Sequence, residues 1–206
     1  MSGRSQEVSV EAIRELRART GAGVLECRRA LVEAQGDLER AIEILRARGL
    51  AAAAQRAGRS AAQGVVDAYI HGNGVLGVLI EVNCETDFVA RTEEFRRLVR
   101  DLAMQVAATD PKYISRDQIP PEELEREREI ARSQLQEAMA GKPVQALERA
   151  VEGKVEKWIE GVVLLEQPFI RDEKRKVSDV IAEVVAKTGE NIVVRRFCRF
   201  RVGEVS

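Results

Sequence analysis

Few residues of this 206-residue chain are equipped for chemistry. His71 is the only histidine, so a histidine-rich metal site is excluded and imidazole catalysis would rest on one side chain. Cys84 and Asp87 follow it along the chain and invite a Cys–His nucleophile reading. Residue types without geometry are weak grounds for that. His71 also opens a glycine-rich turn, His71-Gly72-Asn73-Gly74, where an exposed polar residue is expected. The carboxylates lie mostly along helix faces interleaved with arginine, as in Glu122–Arg132, the pattern of a solvated face supported by i,i+4 pairs. No GxxxxGK[ST] phosphate loop is present. Enzymatic bond chemistry is disfavoured, and neither a cofactor nor a metal is expected.

Binding is the better-supplied class. Arg195-Arg196-Phe197-Cys198-Arg199-Phe200-Arg201 mixes basic and aromatic residues, superficially suited to RNA. The plainer reading is an amphipathic strand with apolar residues inward and arginines outward. Thirty-three basic and 34 acidic residues leave a net charge of −1, which gives that patch little long-range support. Aromatics at 4% supply few stacking platforms. Two stretches favour a protein partner instead. Gly21-Ala22-Gly23-Val24-Leu25 sets two apolar side chains at a tight turn between helices. Thr86-Asp87-Phe88-Val89-Ala90 sets an aromatic and an acid at a strand-to-helix junction. There Phe88 is either a core plug beneath a loop or a contact residue, since it falls outside the next helix's stripe.

The elements that must position these residues are readable from periodicity. Ser9 is a good N-cap, with Val8 and Ile13 placed as a hydrophobic staple. Ile13 and Leu16 share the face of a first helix, and Ala30, Leu31 and Ala34 mark a second. Asp37 caps a third with the stripe Leu38, Ala41, Ile42 and Leu45, stopped at Gly49. The alanine-rich stretch after it buries little and reads as a linker, partly helical. Residues 65–70 and 75–82 read as a hairpin, the second strand nearly all apolar and therefore central. Thr92 caps a helix with the stripe Phe95, Leu98, Val99, Leu102 and Val106. Asp110-Pro111 and Pro120-Pro121 bracket a loop. A charged helix over about residues 122–140 and an amphipathic one bearing Val144, Leu147, Val151, Val155, Trp158 and Val162 read as an antiparallel hairpin. Ser178 is expected to cap a helix through Ile181, Val184 and Val185 that ends at Gly189. Ile192–Val202 alternates as a last strand, Ile192, Val194, Cys198, Phe200 and Val202 on one side and Arg195, Arg199 and Arg201 on the other.

The fold class is therefore α+β. The expected organisation is a flexible N-terminus (1–8), a three-helix docking module (9–49), a linker (50–63) and a core and dimerisation domain (64–206). The core holds a three-stranded antiparallel sheet packed against helices and a helical hairpin. Three cysteines with no CxxC pair make no disulfide framework. Met1–Glu7 lacks the apolar core of a signal peptide, and no apolar run is long enough to span a membrane. A cytoplasmic protein is expected.

These stretches resemble the elongation factor Ts family, guanine-nucleotide exchange factors of elongation factor Tu. The first matching element is Leu16–Leu31 with Gly36-Asp37. The second, Glu81-Val82-Asn83-Cys84-Glu85-Thr86-Asp87-Phe88-Val89-Ala90, is an unusually specific string. Gly141-Lys142-Pro143, Val151-Glu152-Gly153-Lys154, Gln167-Pro168-Phe169 and Arg199-Phe200-Arg201-Val202-Gly203-Glu204 extend the likeness. Arg28 and Arg29 stand where the family often has lysines, and Val24-Leu25 where it often has methionines.

The resemblance implies that the N-terminal helices, similar to ubiquitin-associated domains, dock on the GTP-binding domain of Tu through Arg17, Val24 and Leu25. It implies that Asp87 and Phe88, within Thr86–Val89, intrude between two helices of Tu near its nucleotide. Long family members carry two copies of the core unit; this chain has one, and similar short members are homodimers. A homodimer forming a two-to-two complex with Tu is therefore expected, with Cys198 either near the two-fold axis or buried and reduced. A scaffold that binds a GTPase without promoting exchange is the alternative. Neither nucleic acid nor membrane is an expected partner.

Overall fold

The fold comes from a computed structural model that describes residues 8–204. The expected flexible N-terminus and the signal-peptide question at Met1–Glu7 lie outside the described residues, apart from Val8. The chain forms two compact units. One comprises the described residues up to Val65 together with Val82–Leu98 and Asp179–Val193; the other comprises Val66–Glu81, Val99–Ser178 and the described residues from Val194.

The first unit opens with three helices, α1 (Val10–Thr20), α2 (Val24–Glu33) and α3 (Leu38–Arg56). The hydroxyl of Ser9 accepts the Ala12 amide at 3.0 Å and the Asp37 carboxylate accepts that of Arg40 at 3.0 Å, so both expected N-caps are in place. Leu16, Cys27, Ala30, Leu31, Ala34 and Ala41 make a small buried core, with Val8, Ile13, Leu38, Ile42 and Leu45 packed around it. Gly49 does not stop α3. The helix runs on through the alanines, which are strong helix formers, to Arg56. Gly49 is buried, and a Cβ there would make only ordinary contacts, 3.7 Å from the Ala186 methyl and 3.8 Å from the Ala182 carbonyl.

Strands β1 (Gln63–His71) and β2 (Leu76–Cys84) are joined by a turn in which Gly72, Asn73 and Gly74 all have positive φ. The Gly72-x-Gly74-x-x-Gly77 spacing here joins two strands instead of opening a helix, so it lacks the context of a dinucleotide-binding loop. A short helix α4 (Asp87–Ala90), which sequence periodicity misses, precedes α5 (Glu93–Thr109). Thr92 accepts the Phe95 amide at 3.3 Å, and every residue of the α5 stripe is buried.

Helices α6 (Pro121–Gln136) and α7 (Val144–Val162) form the expected hairpin. Its antiparallel sense is read from the ion pairs Arg128–Glu152 at 3.3 Å and Arg132–Glu148 at 3.1 Å. Val151, Val155 and Ile159 carry its core with Ile119, Ala131 and Val163; Leu147, Trp158 and Val162 flank it. Val144, expected in that stripe, is exposed because α7 begins there, before the facing helix covers it. A short ribbon of β3 (Pro168–Phe169) and β4 (Asp172–Lys176) was too brief to read from alternation. Inside this unit the buried Gln105 donates to Gln167 at 3.1 Å and to the Pro168 carbonyl at 3.1 Å, and its own carbonyl oxygen accepts the Ile170 amide at 2.8 Å.

Helix α8 (Val177–Thr188) starts two residues earlier than a cap at Ser178 implies, so Ser178 lies inside its first turn and is not its cap. Strand β5 (Val193–Arg201) pairs with β2, giving a three-stranded antiparallel sheet in the order β1-β2-β5 with β2 central. The inward–outward assignment of β5 needs correction. Phe200 is 72% exposed and Val202 is also exposed, whereas the Arg199 side chain is only 10% exposed. Arg199 is held by Glu204 at 2.8 Å and by the Ala107 carbonyl at 3.4 Å, so its charge is satisfied where an outward arginine was expected.

Candidate functional site

The turn between α1 and α2 is built by Thr20 and two glycines. The Thr20 hydroxyl donates to the Leu16 carbonyl at 2.7 Å and accepts the Ala22 amide at 3.3 Å. Gly21 adopts φ +67°, which closes α1 through its amide to the Arg17 carbonyl at 2.7 Å. Cys27 anchors the turn from below, its thiol donating to the Ala22 carbonyl at 3.5 Å; burial pushes that thiol above its ordinary pKa. Because Cys27, Ala30 and Leu31 take the buried face of α2, Leu25 faces outward, and Val24, the first residue of the helix, is left uncovered at its end. Val24 and Leu25 are 53% and 64% exposed, and Arg17 is exposed on α1.

The second turn runs from Cys84 to Arg91. Cys84 ends β2 on its buried face, and its thiol donates to the Thr86 carbonyl at 3.1 Å. Burial, with the Glu190 carboxylate nearby, pushes this thiol up to about 11, which leaves it protonated and inert as a nucleophile at neutral pH. Thr86 caps α4, accepting the Val89 amide at 3.4 Å. Ala90 is buried and Val89 half-buried, while Phe88 is 78% exposed. Phe88 is therefore not a core plug. Asp87 pairs with Arg91 at 2.7 Å along the same turn.

One short segment, Lys187–Asn191, grips both turns. The Lys187 ammonium lies against Gly21 and pairs with Glu94 at 2.9 Å and Glu183 at 2.7 Å. Burial draws its pKa down, but the two carboxylates outweigh burial and hold it above the ordinary lysine value. Glu190 accepts the amides of Glu85 at 3.1 Å and Thr86 at 3.0 Å, and the Thr86 hydroxyl at 2.5 Å. The Glu85 carboxylate answers by accepting the Asn191 amide at 2.6 Å. Further ties run from Arg56 to the Gly189 carbonyl at 2.9 Å, from Asn191 to the Arg59 carbonyl at 2.8 Å, and between Arg46 and Asp179. Sequence reading missed Lys187, Glu190 and Asn191. The only local signal is a glycine at the end of α8, and their partners are remote in the chain.

The outer face of the sheet is a third candidate surface. Arg196 pairs with Glu81 at 2.7 Å, which puts Cys198 and Phe200, two and four residues on, beside Leu79 by strand alternation. A Cβ at Gly77 would lie 3.2 Å from Ile70, which places Val66, Ala68 and Ile70 on this face too. Val66, Ile70, Leu79 and Phe200 are all exposed, and Cys198 is half-buried and unpaired.

The remaining chemistry-bearing residues are engaged elsewhere. His71 is exposed at the hairpin turn, its Nδ1 hydrogen-bonded to the Tyr69 hydroxyl at 2.9 Å, whereas Cys84 ends β2 away from that turn. Arg201 pairs with Glu204 as Arg199 does. Among the described residues no group of three or more His, Cys, Asp or Glu could hold a metal ion, and no helix is long and apolar enough to cross a membrane.

Residues 10–204 match the family model described as Elongation factor TS. The elongation factor Ts of Caldanaerobacter subterraneus subsp. tengcongensis is 56% identical over 197 residues, covering 96% of this chain and 98% of the relative. Those of Carboxydothermus hydrogenoformans and Moorella thermoacetica are each 55% identical over 96% of this chain, and the match covers 90% and 96% of their own lengths.

Proposed function

Because the chain belongs to the elongation factor Ts family, whose members are translation elongation factors, we propose that it is a guanine-nucleotide exchange factor for elongation factor Tu. In this reading it binds Tu in its GDP-bound and nucleotide-free forms in the cytoplasm and promotes GDP release. It makes and breaks no covalent bond. The observation that carries the reading is Phe88: a large aromatic, 78% exposed, on a turn fixed from behind by hydrogen bonds.

Arg17, Val24 and Leu25 are the docking contacts, in a module of three helices. Asp87 and Phe88 enter Tu between two helices near its nucleotide, with Thr86 and Val89 shaping the turn. The entry displaces groups that support the Mg²⁺ and the phosphate loop of Tu, so GDP is held less well. Linkage makes the effect mutual: GDP weakens binding of this chain by the factor by which the chain weakens GDP. Burying one phenylalanine is worth about 1.5–3 kcal/mol, whereas a thousandfold loss of nucleotide affinity needs about 4 kcal/mol. Docking through the α1–α2 turn supplies the rest.

The working form is a homodimer that makes a two-to-two complex with Tu. Its support is the exposed apolar sheet face, which suits a second copy. The face carries both members of the Arg196–Glu81 pair and so is close to neutral, a surface two identical partners can share without like-charge repulsion. Cys198 lies on it.

The test is release of a fluorescent GDP analogue from Tu in the presence of excess unlabelled nucleotide. Acceleration that rises with the concentration of this chain and saturates is expected. Binding to Tu without acceleration would instead support an inert scaffold.

A further inference from the structure

We propose that Glu190 is a positioning residue for exchange, its carboxylate holding the Glu85–Phe88 turn in the shape that presents Phe88 to the partner. The inference rests on the exchange reading above and adds to it a residue that does not itself touch the partner.

The turn's other restraints are the Cys84 thiol on the Thr86 carbonyl, the buried Ala90, and the partly exposed Asp87–Arg91 and Arg59–Glu85 ion pairs. Helix α4 is a single turn of four residues, too short to be stable by itself. Its own cap, the Thr86 hydroxyl, accepts the Val89 amide at a long 3.4 Å. Phe88 contributes almost no packing to its own chain. Against these weak local restraints stand three bonds to one carboxylate, from the Glu85 amide, the Thr86 amide and the Thr86 hydroxyl. Bonds to an ionised acceptor are roughly twice as strong as neutral ones. They fix the two residues immediately before Asp87 and Phe88, so they set the direction in which the wedge leaves the fold.

The carboxylate is itself held. Gly189, at φ +76°, turns the chain out of α8 so that Glu190 faces the turn. On the other side, Asn191 gives its amide to Glu85 and its side chain to the Arg59 carbonyl. Glu190 and Glu85 thus each accept from the other's segment, a reciprocal clasp in which neither backbone can shift alone. A buttress of this kind spares the docked complex the entropy of ordering the turn when the wedge enters.

The experiment measures stimulated release of fluorescent GDP from Tu for the unaltered chain, Glu190→Ala, Glu190→Gln, Phe88→Ala and Phe88→Ala combined with each Glu190 variant, with Leu25→Ala as the docking comparison. Loss of the buttress is expected to lower the maximal release rate about tenfold, while the half-saturating concentration moves less than about twofold because docking is separate. Glu190→Gln keeps one acceptor and the side-chain shape, so it should restore part of the rate. Should Glu190→Ala fail to fold, Glu190→Gln carries the comparison. In the Glu190 background Phe88→Ala should cost much less than it does alone, because a wedge already misdirected has less to lose. Leu25→Ala should instead raise the half-saturating concentration. Glu190 variants that match the unaltered rate, or a Phe88→Ala effect that multiplies in full with theirs, would overturn the role of Glu190 and leave the exchange reading standing. An unaltered chain that leaves GDP release at Tu's own rate would overturn the exchange reading itself, and this inference with it.

Discussion

Lys187 occupies the space that a side chain at Gly21 would need: a methyl group there would come within 2.6 Å of both its Cε and its Nζ. Gly21 also stands at φ +67°, where a Cβ meets the following carbonyl. Gly21→Ala should therefore lower stability by about 1–2 kcal/mol from backbone strain alone. The lysine can retreat only by loosening its pairs with Glu94 and Glu183, which adds to the loss. Urea unfolding should show a lower midpoint with an unchanged slope. A midpoint equal to that of the parent would remove the strain argument.

Phe88→Ala should leave the chain about as stable as before, since the ring is 78% exposed; a buried phenylalanine would cost about 3–5 kcal/mol. GDP release from Tu should nonetheless slow by about tenfold or more, the factor that corresponds to 1.4 kcal/mol of lost contact. Asp87→Ala should do less, and the double variant less than the product of the two if they act as one wedge. Melting and release measured on the same preparations separate the cases: a large drop in melting temperature, with release tracking only the folded fraction, would return Phe88 to the core.

What the sequence makes legible is whatever depends on near neighbours. The α5 stripe from Phe95 to Val106, the caps at Ser9, Asp37 and Thr92, and the positive-φ turn at Gly72–Gly74 follow from spacings of a few residues, and the fold bears them out. Reading failed where a distant segment decides the outcome. Gly49 is a helix stop by local rules, yet α3 runs through it where it packs beside the remote Ala182 and Ala186. Phe200 and Val202 alternate as an inward face, and alternation cannot say which face the chain itself covers. Glu190 looks like any acid after a helix, because the amides it serves lie 104 and 105 positions away.

The sheet face gives a test of assembly. Leu79→Glu should convert a homodimer to a monomer without unfolding it, because Leu79 is already exposed on the outer face of β2. Sedimentation should show twice the mass of one chain for the parent and the mass of one chain for the variant, at micromolar concentration. A parent with the mass of one chain across that range would refute the dimer. A non-reducing gel comparing the parent with Cys198→Ser decides separately whether that thiol joins two copies.

Arg116 gives a pH dependence with a definite sign. It binds Glu156 with two bonds, at 2.9 and 2.7 Å, and Glu166 at 2.9 Å. The hydrogen bonds from Arg116 hold both carboxyls below their ordinary value of 4.5. Groups depressed in the folded state add stability above the ordinary pKa and lose it as pH falls through the folded one. Arg116→Met should thus be less stable than the parent at pH 7 by about 1 kcal/mol, solvent screening keeping the figure small. The gap should close in acid, below the ordinary carboxylate range. An equal gap at pH 7 and pH 3 in denaturant titrations would remove the electrostatic origin.

The clasp between the Glu85–Phe88 turn and Glu190 also sets a schedule. A ribosome making this chain releases α1–α3 and the aromatic turn long before Glu190 and Asn191 exist, and a contact spanning 104 residues waits on closure of a very long loop. Until then the turn has sequence but not shape.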